Sequence, residues 1–397
     1  MHEQILILGV AITMLGYGYF SKLLSSFNIS GAIVFTSIGF LLSYFGLEIK
    51  PDATLVQILA EIALIVILFS DAAIINISTI KWRIPNRLLF VAMPLSIAFA
   101  FLVGRYLFNQ TPSILILMLA LILAPTDAAL GKAVVSDKRI PEIVRSSINV
   151  ESGLNDGIVF PLFLTVLAIS LGESSNGNLW GYIFKQIIVG AIAGGLIGFL
   201  GAKLFSISSK RDWIEHSYKN LTPLALAIFA FYFAEHFGGN GYISAFFAGL
   251  IAGNISNSLR DSIENFAESE GELFVMVSFL IFGLIFIPNS IVYWNFKAFI
   301  YAILSLTIIR IIPVIFSFGF FKIDLATRLF IGWFGPRGIA SILYILVAVS
   351  QIGANLKFYE EIFAIASLTI TLSIFLHGFS AKPFVWLYTK KEHKVEV

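Results

Sequence analysis

"VESGLNDGI", residues 150–158, places a glutamate, an asparagine and an aspartate between runs that are almost entirely apolar. Extended to 146–171, the stretch reads "SSINVESGLNDGIVFPLFLTVLAISL". That is enough to cross a hydrocarbon layer of about 30 Å, which takes about 20 residues as a helix. Similar apolar runs recur along the whole chain. Of 397 residues, 58% are hydrophobic and 13% charged, whereas soluble domains have roughly 25% charged. So few charges cannot cover a water-soluble protein of this size. The chain reads as an all-α polytopic membrane protein, and its polar stretch as ionisable groups kept inside the bilayer, where each is costly.

The apolar segments predict thirteen transmembrane helices, at about 3–20, 30–46, 56–76, 87–106, 112–131, 146–171, 181–206, 219–236, 241–256, 270–288, 293–317, 326–352 and 358–388. "HFGGN" separates the eighth from the ninth, and "GPRG" interrupts the twelfth. Basic residues check the count. The odd-numbered connections and the C-terminal tail hold 19 of the 26, the other connections hold 5, and Arg310 and Arg337 fall within spans. By the positive-inside rule the N-terminus is expected outside and the C-terminus in the cytoplasm. The opening "MHEQILILGVAITMLGYGYF" has no basic residue before its apolar run and reads as a first membrane helix, not a signal peptide.

Several classes lose ground. With no cysteine, disulfides and cysteine-bound metals are excluded. The basic residues are scattered, so no nucleic-acid partner is expected. There is no Walker A sequence to couple the chain to ATP, no filter-like motif of a selective channel, and no long soluble module. An enzyme is not expected.

The remaining chemistry lies in the charges within the spans. Glu61, Asp71 and Glu235 read as boundary or structural groups, while Asp127, Glu151, Asp156, Arg310 and Arg337 sit deeper. Glu151 and Asn155, four residues apart, share a helical face, and Asp156 is rotated from Asn155 by about 100°. Gly153 and Gly157 would let neighbouring backbone approach, and Pro161 would loosen the helix at Gly157. One helix earlier, "LILAPTDAALGKA" puts Pro125 before Thr126 and Asp127, a break that frees backbone groups in mid-membrane. Hard oxygen ligands of this kind suit a small alkali cation. A polar knot that merely locks helices together is the competing reading. Which acid each arginine meets is left open at this level.

"PTDAA" at 125–129 and "ESGLND" at 151–156, with "GGNGYISAFFAGLIAGN" at 238–254 and "GPRG" at 335–338, carry a resemblance. The chain resembles the cation/proton antiporter superfamily, on its electroneutral sodium/proton exchanger branch, over essentially its whole length. The resemblance implies an inverted-repeat fold with two discontinuous crossing helices in a single transporter domain, 1–397. Its core bundle halves would be 87–171 and 293–388, and its dimerisation helices 1–76 and 181–288.

The resemblance also assigns roles. Asp156 would bind cation and proton alternately, with Thr126 and Ser152 as further sodium ligands. Glu151 and Arg310 would form a buried ion pair between the sixth and eleventh helices. Asn155 and Asp127 would steady the crossing of helices five and twelve, and Arg337 would neutralise helix ends or acids there. Asn155, where electrogenic relatives carry aspartate, implies 1:1 exchange. Ala128 departs from the commoner "TDP" form. The expected function is sodium (or lithium) for proton exchange by a homodimer in a prokaryotic inner membrane, with no cofactor beyond the transported ions. A potassium or broad alkali cation exchanger is the alternative within transport, and a gated cation channel the one outside it.

Overall fold

The computed structural model describes residues 2–46, 54–127, 130–172, 179–319, 321 and 323–392. Ala128 and Ala129 of the "PTDAA" motif, and Lys50, Lys322 and Lys394 of the basic count, lie outside the described residues. All regular structure among the described residues is helical. In chain order the helices are α1 (His2–Ser26), α2 (Gly31–Tyr44), α3 (Thr54–Ile74), α4 (Arg83–Leu107), α5 (Ser113–Ile122), α6 (Glu142–Ser170) and α7 (Leu179–Lys210). There follow α8 (His216–His236), α9 (Gly241–Ile255), α10 (Asn257–Tyr293), α11 (Phe296–Ser317), α12 (Leu325–Trp333), α13 (Ile339–Ile352) and α14 (Glu360–Glu392). Eight of the described helices are long and apolar enough to cross a membrane, and α2, α5, α9 and α13 are shorter apolar helices.

Two expectations need correction. The tenth segment, read as 270–288, begins at Asn257. Its first turns, "NSLRDSIENF", are too polar to score as a span, yet they bury Leu259, Ile263 and Phe266 along one face. The sixth segment is one unbroken helix through Pro161, which has no N–H to give the Gly157 carbonyl. The ring of Phe246, not backbone, fills the space beside Gly157.

Packing gathers the chain into two compact units. One comprises 58–80 and 156–275. Within it, Gly190, Gly194 and Gly198 of α7 lie against the backbone of Asn240, Ser244 and Ala248, while Gly249 and Gly253 of α9 lie against Phe69 and Ala73 of α3. Small residues every fourth position let helix backbones approach closely where lipid supplies no hydrophobic drive. The "HFGGN" turn separates α8 from α9 by a left-handed residue, Gly238 at φ +72. Gly239 N–H closes back on the Ala234 carbonyl at 2.9 Å, and Asn240 caps α9 by accepting from Ile243 N–H at 3.1 Å. Glu61 accepts from the Tyr232 hydroxyl at 2.9 Å and Glu235 from Gly241 N–H at 2.7 Å, which accounts for both acids without a transport role.

The other unit comprises 1–57, 81–155 and 276–397. It contains two interrupted helices. α5 stops at Ile122, and the chain runs without helical structure through Asp127 before a single turn at Lys132–Val135. α12 stops at Trp333, and α13 resumes only at Ile339, beyond "FGPRG". An apolar cluster that includes Ile84, Leu88, Val134, Val144, Val314, Phe330, Phe334 and Val385 packs on the α12 side of these breaks.

Candidate functional site

Interrupting a helix inside a membrane strands backbone donors and acceptors, each of which costs free energy unless paired. The two interruptions pair each other's. Asp127 N–H donates to the Pro336 carbonyl at 2.9 Å, and Asp127 Oδ2 accepts from Ile339 N–H, the first residue of α13, at 2.7 Å. A carboxylate at a helix N-terminus meets both a free donor and the positive end of the dipole. In return, Arg337 Nη1 donates to the carbonyls of Ala124 (2.7 Å) and Pro125 (3.0 Å), just past the end of α5. Ser341 Oγ donates to the Ile122 carbonyl at 2.6 Å. An acid from one break therefore caps a half-helix of the other, and a base from the second covers carbonyls of the first.

Close approach requires the glycines of "GPRG". A methyl added at Gly338 would overlap the Asp127 carboxylate, and one at Gly335 would stand 2.7 Å from Arg310 Nε. Gly338→Ala is expected to lower stability by about 1–3 kcal/mol, as overpacking does, and to weaken ion transport. A thermal melt in detergent and flux in proteoliposomes would measure the two effects.

α6 supplies the remaining polar groups. Asn155 Nδ2 donates to Thr126 Oγ1 at 2.7 Å, and Thr126 Oγ1 lies 3.0 Å from Ser152 Oγ. The structure thus brings three predicted residues into one hydrogen-bonded group. Asn155 Oδ1 is buried and accepts no hydrogen bond among the described residues. Glu151, on the same helix, meets Arg310 of α11: Arg310 Nη2 lies 2.6 Å from Oε1 and 2.7 Å from Oε2, with each side chain 2% exposed. Arg337, by contrast, spends its Nη1 on backbone carbonyls. Asp156 is the next residue of α6 after Asn155 and is buried.

The charge count is informative. The buried ionisable groups among the described residues include three carboxylates, Asp127, Glu151 and Asp156, and two guanidinium groups, Arg310 and Arg337. Counted as ionised, these five groups carry a formal net charge of −1. Buried charge on this scale is tolerated only where it is compensated.

Sequence reasoning missed Ser341, Ser373 and His377, all in contact with the breaks. A signal existed for two of them. Thr369, Ser373 and His377 repeat every fourth residue in the apolar α14, marking one polar face, and all three are buried.

With this geometry established, similarity to known proteins becomes interpretable. The family model described as "Sodium/hydrogen exchanger, transmembrane" matches residues 7–387. Relatives include a Na(+)/H(+) antiporter of Schizosaccharomyces pombe, 27% identical over 309 residues, covering 69% of this chain and 65% of that one. A K(+)/H(+) antiporter NhaP of Alkalimonas amylolytica is 25% identical over 274 residues, covering 68% and 47%. This chain therefore spans roughly half to two thirds of the length of those relatives. Among solved structures, the sodium proton antiporter MjNhaP1 of Methanocaldococcus jannaschii at pH 8 superposes with a TM-score of 0.81 at 19% identity, covering 98% of this chain and 100% of that one. The fold is the all-α polytopic membrane fold of that protein, an inverted repeat with discontinuous crossing helices.

Proposed function

The chain belongs to the sodium/hydrogen exchanger family, and from that premise we propose that it exchanges sodium, or lithium, for protons across a membrane, one for one, by alternating access. The observation that carries this reading is the buried Asp156 carboxylate, next in the chain to the hydrogen-bonded group of Thr126, Ser152 and Asn155. A cation neutralises the carboxylate, and so does a proton, so the two compete. The unneutralised form is costly to carry through apolar surroundings, which suppresses uncoupled leak. Coupling then needs competition and alternating exposure, with no covalent step.

In this reading Asp156 is the carboxylate that takes cation and proton in turn, and the oxygens of Thr126 and Ser152 are further ligands. Asn155, Asp127 and Arg337 hold the breaks, and Glu151 with Arg310 form scaffold. The core bundle is assigned to 87–171 and 293–388, and the helices of 1–76 and 181–288 to a homodimer scaffold, on the family resemblance. The surplus of basic residues in the odd-numbered connections supports a cytoplasmic C-terminus and an external N-terminus. A prokaryotic inner membrane is the location assigned on the family resemblance.

Potassium is the second reading, favoured by relatives of comparable identity that are K(+)/H(+) antiporters. Proteoliposomes loaded with a pH-sensitive dye decide the matter: sodium and lithium gradients are expected to drive proton movement, and potassium to drive little. A larger response to potassium selects the second reading, and no response to any alkali cation rejects exchange altogether. Cation passage that needs no proton counterflow would instead identify a channel. An imposed membrane potential is expected to leave the sodium/proton equilibrium where it was, because a one-for-one exchange moves no net charge. A voltage-dependent displacement would contradict that stoichiometry.

A further inference from the structure

His377 is a buried, titratable side chain on α14 that the exchange scheme above does not use. It touches both rims of the break between α12 and α13. On one side, His377 Nε2 lies 3.0 Å from the carbonyl of Trp333, the last residue of α12. The ring also packs on the Trp333 indole, with centroids 4.9 Å apart and planes at 32°. On the other side, His377 Nδ1 lies 3.2 Å from Ser373 Oγ, and Ser373 Oγ accepts from Arg337 N–H at 2.7 Å.

Arg337 N–H occupies one lone pair of Ser373 Oγ, so the serine keeps its own hydrogen to donate. His377 Nδ1 lies 3.1 Å from the Ser373 carbonyl as well as 3.2 Å from its hydroxyl, and Nε2 faces the Trp333 carbonyl. Both carbonyls only accept, so a neutral ring donates to one of them at a time. With the proton on Nε2, Ser373 Oγ–H donates to Nδ1, and a continuous chain runs from Arg337 N–H through Ser373 and His377 to Trp333. The same Arg337 holds the Ala124 and Pro125 carbonyls through Nη1, directly before Thr126.

We propose that His377 is a positioning residue for cation binding: through Ser373 and Trp333 it fixes both rims of the α12–α13 break, and so sets where Arg337 holds the backbone that leads into Thr126. The inference rests on the exchanger reading. The charged group near this chain is Arg337, whose backbone and guanidinium are both engaged; no carboxylate is among the partners of His377 given by the structure.

The test measures proton flux against sodium concentration in proteoliposomes for the unmodified protein, His377→Gln, His377→Phe and Ser373→Ala. Glutamine can place an amide N–H toward the Trp333 carbonyl, whereas phenylalanine keeps the ring and loses both hydrogen bonds. The half-saturating sodium concentration is expected to rise about tenfold or more in His377→Phe and Ser373→Ala, the range seen when groups supporting a cation's ligands are removed. His377→Gln should stay near the unmodified value. A purely structural role would lower the maximal rate, through loss of folded protein, without moving half-saturation. Unchanged half-saturation in folded His377→Phe overturns the inference, and so does His377→Gln shifting as far as His377→Phe. If His377→Phe does not fold, Ser373→Ala, which removes only a hydroxyl, carries the same two outcomes. Absence of any sodium-driven flux in the unmodified protein would count against the exchanger reading instead.

Discussion

Asp156→Asn is expected to reduce sodium-driven proton flux to the level of empty liposomes while leaving the protein folded. The substitution changes one buried carboxylate into an amide of nearly the same shape. Three buried acids and two buried bases then become two and two, with no charge left for a cation or a proton to neutralise. Transport is lost because its electrostatic requirement is gone. Folding has no reason to suffer, since the amide keeps the shape of the carboxylate and removes the desolvation cost of a buried charge. The thermal midpoint in detergent is therefore expected to hold or rise as transport falls. Coupled flux at the unmodified level in a folded Asp156→Asn protein would sink the assignment of Asp156 as carrier.

Arg310→Ala has the opposite signature: a large loss of stability. Arg310 and Glu151 are each 2% exposed, and one guanidinium nitrogen reaches both carboxylate oxygens. Removing the arginine leaves Glu151 ionised without its partner in a site that water does not reach. Breaking a buried pair in this way costs about 3–5 kcal/mol. Thermal melts or chemical unfolding in detergent should show that loss, with flux falling as the folded fraction falls. The double substitution Glu151→Leu with Arg310→Met removes both charges and refills the volume. Replacement of a buried pair by apolar side chains is often neutral or stabilising, so the double variant is expected to melt near the unmodified protein. If it is as unstable as Arg310→Ala, charge compensation is not what the pair supplies.

How much of this was legible before folding depends on the kind of residue. The first, third and seventh helices were visible from apolar runs alone, and the eighth and ninth could be separated because Gly238 and Asn240 act locally, as a left-handed stop and a cap. The breaks at Pro125 and "GPRG" were visible for the same reason. The tenth helix was read too short because its opening turns bury only one face, and "NSLRDSIENF" is polar on average.

The sequence by itself determined that this chain lives in a bilayer, where its spans lie, and which spans contain charge or a break. Those are one-dimensional properties: each membrane segment must satisfy its own backbone hydrogen bonds and bear its own transfer cost, so composition over about 20 residues reveals it. Only the tertiary structure decided the partners. Arg310 meets Glu151 from 159 residues away, Arg337 covers the carbonyls of Ala124 and Pro125 from over 200, and Asp127 caps a helix that starts at Ile339. A buried charge or a stranded backbone group can be satisfied by several chemically equivalent partners, and spacing cannot choose among them. Packing chooses, by bringing one partner to hydrogen-bond distance and excluding water from the rest.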